Sequence, residues 1–179
     1  MNKPNIKDGE RIVTDLLNWL KVPMDESVKN TPRRVAKMYL ELFKGLYCTP
    51  PKITMFKAED SYVCISDIYF NSICEHHLLP FMGKCSVVYH TNNGVVIGLS
   101  KIPRIVDYWS SRPQLQERLT EQIAEDLMRR LNPLGVYVFM SAEHSCVNIR
   151  GIKSRGCRTN TAVIRGDIDK QEAIRLLKI

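Results

Sequence analysis

The chain has 179 residues, 44% of them hydrophobic and 25% charged, with a formal net charge of +7 and a pI near 9.2. That is one ordinary domain with short extensions, able to bury roughly 70% of its unfolded surface without a staple, and no run approaches the roughly 18 apolar residues of a membrane helix. The surplus of positive charge points to an anionic partner, either nucleic acid or a phosphorylated metabolite.

The first ten residues, MNKPNIKDGE, are polar, so no secretory signal is expected. Over residues 10 to 21, Ile12, Val13, Leu16, Leu17 and Leu20 stand at helical spacing, and Pro23 ends the pattern. A second helix is predicted from Thr31 as cap and Pro32 in the first turn. Val35, Met38, Tyr39, Leu42 and Phe43 form its apolar face, and Gly45 follows as a stop signal. The stretch CTPPKITMF then predicts an extended linker.

From residue 61 the pattern turns β-rich. SYVCISDIYF, KCSVVYH and VVIGL, the last two joined by TNNG with its hairpin chemistry, predict an antiparallel meander. Ser100 caps a helix carrying Ile102, Ile105, Val106 and Trp109, and Pro113 opens another with Leu115, Leu119, Ile123 and Leu127. A second β region runs from GVYVFMSAEHSCVNIR to CRTNTAVIRG, and DKQEAIRLLKI closes the chain as a short helix. The expected organisation is a helical N-terminal extension over residues 1–50 and one structural unit over 51–179. The six cysteines, at 48, 64, 74, 85, 146 and 157, are scattered through a chain too large to need disulfides. Reduced thiols and a cytoplasmic location are expected.

Histidine is scarce, with four in the chain, yet three fall in two clusters: His76 and His77 beside Cys74, and His144 beside Cys146. Cys-x-x-His brings Cys74 and His77 to one side of a turn. His144 and Cys146 share a face if AEHSC is a strand, because side chains alternate with period two. Cys74, His77 and Cys146 suit Zn²⁺ and leave a fourth position for water, while His76 and His144 remain for proton transfer. Spacing leaves alternatives: ordinary buried cysteines with capping histidines, a Cys74–Cys146 disulfide, or a structural Cys₂His₂ site that recruits His144.

In GLSKIPR, Ser100 as N-cap exposes backbone amides, and Lys101 and Arg104 project from the same first turn, which favours a phosphate. If the strand through Cys146 continues, Asn148 and Arg150 stay on its face, with Arg150 roughly 13 Å from Cys146. Gln116 and Glu117 in PQLQERLTEQIAEDL are placed to face a ligand, the carboxylate suiting the ring and amino N–H donors of guanine. The basic run IKSRGCR lacks the interleaved aromatics of a single-strand binder. There is no P-loop and no zinc-deaminase signature.

Taken in order, TPRRVAKMY, CEHHLLPFMGK, IGLSKIPRIVDYWSSRPQLQERLTEQIA, EHSCVNIRGIK and RTNTAV resemble the folate-type GTP cyclohydrolase I family over most of residues 31 to 166. The resemblance implies an α+β tunnelling fold: an antiparallel sheet with two central helices packed on one face, plus N-terminal helices. It also implies a homo-oligomer, a decamer with sites between subunits, and no nucleic-acid or membrane partner. It assigns zinc to Cys74, His77 and Cys146 and acid–base work to His76 and His144. It puts Gln116 and Glu117 near the guanine, and Ser100, Lys101, Arg104 and Arg150 around the triphosphate, with Arg34 coming from a neighbouring subunit. The implied reaction converts GTP to 7,8-dihydroneopterin triphosphate and formate, the entry to folate, other pterin or deazaguanine synthesis. SSRPQ and Cys157 depart from the family pattern, which bears on tunnel charge and loop packing. Two other readings fit parts of the sequence: a tunnelling-fold relative acting on another purine or pterin, and a structural-zinc nucleic-acid binder.

Overall fold

The structure, a computed structural model, describes residues 2–177. The chain divides into two compact units, Met1–Thr49 and Pro50–Ile179.

In the first unit, helix α1 (Ile6–Trp19) begins where the Asn5 side chain accepts a hydrogen bond from the Lys7 amide at 3.0 Å. Helix α2 (Thr31–Leu42) follows, then a single 3₁₀ turn, Lys44–Leu46. The two helices meet where both partners are small: a Cβ on Gly9 would lie 3.1 Å from the Cβ of buried Ala36. The start of α2 differs from the expected cap. Asn30 holds the cap position with no side-chain bond, and Pro32, which has no N–H to satisfy, supplies the helical start.

The second unit contains, in chain order, β1 (Met55–Lys57), β2 (Tyr62–Cys74), β3 (Pro80–His90), β4 (Val95–Ile97), α3 (Lys101–Ser110), β5 (Pro113–Gln114), α4 (Gln116–Leu131), β6 (Gly135–His144), α5 (Ser145–Asn148), β7 (Arg158–Gly166) and α6 (Lys170–Leu177). Five strands form one sheet in the order β5-β2-β3-β6-β7, antiparallel except for the short parallel pairing of β5 with the end of β2. Lys178 and Ile179, the end of the predicted closing helix, lie outside the described residues.

Alternation along the strands sorts the core. Phe81, Cys85, Val87 and Tyr89 of β3, with Val136, Val138 and Met140 of β6, face Ile102, Ile105 and Val106 of α3 and Leu119, Ile123 and Leu127 of α4. Each such fully buried aliphatic side chain contributes about 1.5–3 kcal/mol. Val88 and Tyr137 point to the other face, where Ala173 of α6 covers them. Both central helices therefore lie on one face, as predicted, and the closing helix takes the opposite one.

Three local expectations change. VVIGL does not pair with KCSVVYH: β4 instead forms a two-stranded ribbon with β1. Both edges of β3 are already filled, by β2 and β6, so the TNNG turn must carry the chain away from the sheet. That turn is held by Asp60, whose Oδ1 accepts from the Gly94 amide at 2.6 Å and the Thr91 hydroxyl at 3.0 Å. The helix expected at Pro113 starts at Gln116, because Pro113 and Gln114 pair with Ile73 and Cys74. Finally, the strand expected to run through Cys146 stops at His144, and residues 145–148 turn helically.

Candidate functional site

The CEHH motif is the turn of the β2–β3 hairpin. The strands close through the Ile73–Pro80 pair, the Cys74 amide donates to the Leu79 carbonyl at 2.8 Å, and the Leu78 amide to the Cys74 carbonyl at 2.9 Å. The turn folds His77 back over the strand end, with Nδ1 3.9 Å from the Cys74 sulfur. Because β6 pairs with β3, its end at His144 lies opposite Phe81. The helical turn α5 then delivers Cys146 to the same place.

The ligating atoms of Cys74, His77 and Cys146 all lie within 4.8 Å of one another. Tetrahedral zinc with bond lengths near 2.3 Å to sulfur and 2.0 Å to nitrogen sets its ligand atoms about 3.5–3.8 Å apart. The three groups therefore fit a single zinc ion, and they come from positions 72 residues apart. His144 is not a member of this group. None of the six cysteines is paired. Burial, then the neighbouring Cys74 sulfur, raises the Cys146 thiol above its ordinary pKa, against the opposing pull of Arg150. A metal that takes the thiolate therefore displaces a proton there.

The two histidines outside the group have different settings. His76 is exposed, its ring 6.2 Å from that of His77 and edge-on to it. His144 is half-buried and stacked on Phe81, with centroids 4.5 Å apart and planes 5° from parallel. Burial lowers its pKa, while the Glu117 charge pulls the other way.

Glu75 has a clear structural place. Its carboxylate pairs with Arg118, whose Nε–H donates to Gln114 Oε1 at 3.0 Å, while the Glu75 amide donates to the Gln114 carbonyl at 3.1 Å. The motif turn is thus tied to the start of α4. Sequence reasoning left Arg118 unassigned, although it follows Glu117 directly; which strand ends lie beside α4 is decided by the short β5 pairing, which carries no residue signature.

Other predicted site residues are placed as follows. Arg150 lies beside the metal group instead of some 13 Å along a strand, because the strand gives way to the helical turn α5, and its Nη1 stands 2.6 Å from His77 Nε2. Glu117 is exposed on the first turn of α4. Gln116, expected to face a ligand, is 1% exposed, and both ends of its amide are hydrogen-bonded inside the protein. Ser100, Lys101 and Arg104 begin α3, but Ser100 makes no side-chain cap and the Lys101 amide already donates to the Gly98 carbonyl at 2.8 Å. The side chains of Lys101 and Arg104 are the positive charges that this turn offers an anion. Among the described residues no hydrogen bond or ion pair joins Ser100, Lys101 or Arg104 to the metal group. Arg34 is exposed on α2 of the first unit.

The sequence pattern that defines the GTP cyclohydrolase I family matches residues 9–178. The chain is 45% identical over 175 residues to GTP cyclohydrolase 1 of Desulforamulus reducens, covering 96% of this chain and 92% of that one. It is 50% identical over 156 residues to GTP cyclohydrolase 1 of Pelotomaculum thermopropionicum, covering 86% and 83%. Among solved structures, the apo archaeosine synthase QueF-Like shares the fold at TM-score 0.51 and 20% identity, over 63% of this chain and all of that one.

Proposed function

The chain belongs to the GTP cyclohydrolase I family and has that activity, and from this premise we propose how its residues divide the work. Cys74, His77 and Cys146 hold zinc. The metal, when bound, supplies Lewis-acid activation of water at neutral pH. The observation that carries this reading is the convergence of those three ligating atoms, from two distant segments, to within 4.8 Å of one another.

His76 and His144 move the protons. C8 of guanine leaves as formate, so the imidazole ring must open, and N7 must gain a proton as its bond to C8 breaks. An exposed imidazole and a half-buried one, each within two residues of a metal ligand in sequence, suit that exchange. Glu117 accepts from the ring and amino N–H groups of guanine. Lys101, Arg104 and Arg150, with the Ser100 hydroxyl, bind the triphosphate; Arg150 already lies beside His77. A highly anionic substrate accounts for the net charge of +7 without nucleic acid.

The working form is a homo-oligomer, a decamer, in which Arg34 of a neighbouring copy joins the phosphate site. Two features support assembly: β7 is an edge strand of the sheet, and β5 covers only the Ile73 and Cys74 end of β2. Unpaired edges of this kind are templates for strands of another copy. The location is cytoplasmic; no helix among the described residues is long and apolar enough to cross a membrane. The assay is direct. Zinc-loaded protein given GTP releases formate and a pterin that fluoresces after oxidation; absence of both contradicts the reading.

A further inference from the structure

We propose that Gln116 is a positioning residue for His144, not a contact to the guanine ring. The inference rests on the acid–base role given to His144 above. Gln116 is among the most buried side chains of the molecule, on the first residue of α4. Its Nε2 lies 2.9 Å from the Thr159 carbonyl and 3.2 Å from the Met140 carbonyl, with the Thr161 hydroxyl at 3.1 Å. Carbonyl oxygens only accept, so the NH₂ end of the amide must point there and Oε1 must point the other way.

What Oε1 meets is His144 Nε2, at 2.8 Å. An amide oxygen only accepts as well, so the proton of that ring sits on Nε2, and Nδ1 is the nitrogen left for the substrate. The same ring is stacked on Phe81, so its plane and its tautomer are set by two different neighbours. The partner that fixes them is itself anchored to β6 and β7 through backbone carbonyls. Thr120 strengthens the anchor: its hydroxyl donates to the Gln116 carbonyl at 2.7 Å and lies 2.6 Å from the Thr161 hydroxyl. Gln116 thus has both ends of its amide engaged inside the protein, while its neighbour Glu117 stays exposed.

The test is a kinetic cycle on the zinc-loaded protein with Gln116→Met, His144→Ala and the double variant, accompanied by zinc content and calorimetric GTP affinity. Gln116→Met is expected to lower kcat by about 10- to 100-fold. KM, GTP affinity and zinc content should stay within about twofold of wild type. The double variant should be no worse than His144→Ala within about twofold, because the two residues act as one unit. Gln116→Asn gives the same result if the Met variant does not fold, since it keeps an amide for the carbonyls but is one methylene too short to reach His144. A raised KM with unchanged kcat makes Gln116 a substrate contact and overturns the proposal, as do losses that multiply in the double variant. Wild-type turnover by His144→Ala would instead sink the role of His144 itself.

Discussion

Phe81 and His144 face each other across the β3–β6 pair, rings parallel within 5° and 4.5 Å apart. Phe81 also meets Phe70 edge-on at 6.0 Å and is completely buried. One side chain therefore serves the core and the ring that is proposed to carry protons. Phe81→Ala should lower stability by about 3–5 kcal/mol. Phe81→Leu, which keeps most of the volume, should cost under about 1.5 kcal/mol yet still reduce kcat. Denaturant titration and steady-state kinetics on the two variants separate the roles; a Leu variant with wild-type kcat would remove Phe81 from the site.

Gly83 of β3 pairs with Ala142 of β6. A Cβ there would stand 2.0 Å from the Ser141 carbonyl oxygen and 2.7 Å from the Ala142 Cα, both backbone atoms that cannot move aside. Gly83→Ala should destabilise by at least about 3 kcal/mol. It should also reduce zinc binding, because this strand pair aligns the two ligand segments. Thermal unfolding and metal analysis of the variant provide the check; a variant as stable as wild type would show that the strands separate without penalty.

The turn of the metal motif hangs on the Glu75–Arg118 pair, both partly exposed. A double-mutant cycle with Glu75→Gln and Arg118→Met should give a coupling of about 1 kcal/mol in stability. Because the tie runs from the motif to α4, each single variant should lose activity while retaining zinc. Full activity in both would reduce the pair to surface decoration.

Asp60 supplies a pH dependence away from the site. Its carboxyl pKa is lowered below 3.8 by the Gly94 amide first and the Thr91 hydroxyl second. A depressed carboxyl stabilises the fold above the unfolded value of 3.8 and loses that effect as pH falls through the folded value. Asp60→Asn, which mimics the protonated state, should be less stable than wild type at neutral pH, and the two should converge in acid. Urea titrations across that range decide; a constant gap would assign the effect to packing.

Much of this site was legible because its chemistry is concentrated in short stretches. Cys74, His77 and Cys146 stand out as rare residue types in rare clusters, and the 3.6-residue spacing of Ile102, Ile105 and Val106 marks a buried helix face before any coordinates. What escaped the sequence depended on long-range pairing. The β4 strand carries perfect hairpin chemistry, yet it leaves the sheet because β6, forty residues further on, already holds the edge of β3. Cys146 shares a face with His144 if AEHSC is a strand, but the ladder with β3 ends at the Phe81–His144 pair and the chain turns. Gln116 and Glu117 look equivalent in sequence. The start of α4 buries one and exposes the other, a distinction set by the strands beneath the helix.

The central claim is that three ligands from two distant segments make one zinc site that the reaction requires. The measurement is zinc per chain, with formate released from GTP, for Cys146→Ala purified beside the wild type. The account predicts about one zinc per chain in the wild type, and neither zinc nor formate from the variant. Stoichiometric zinc in Cys146→Ala would contradict it.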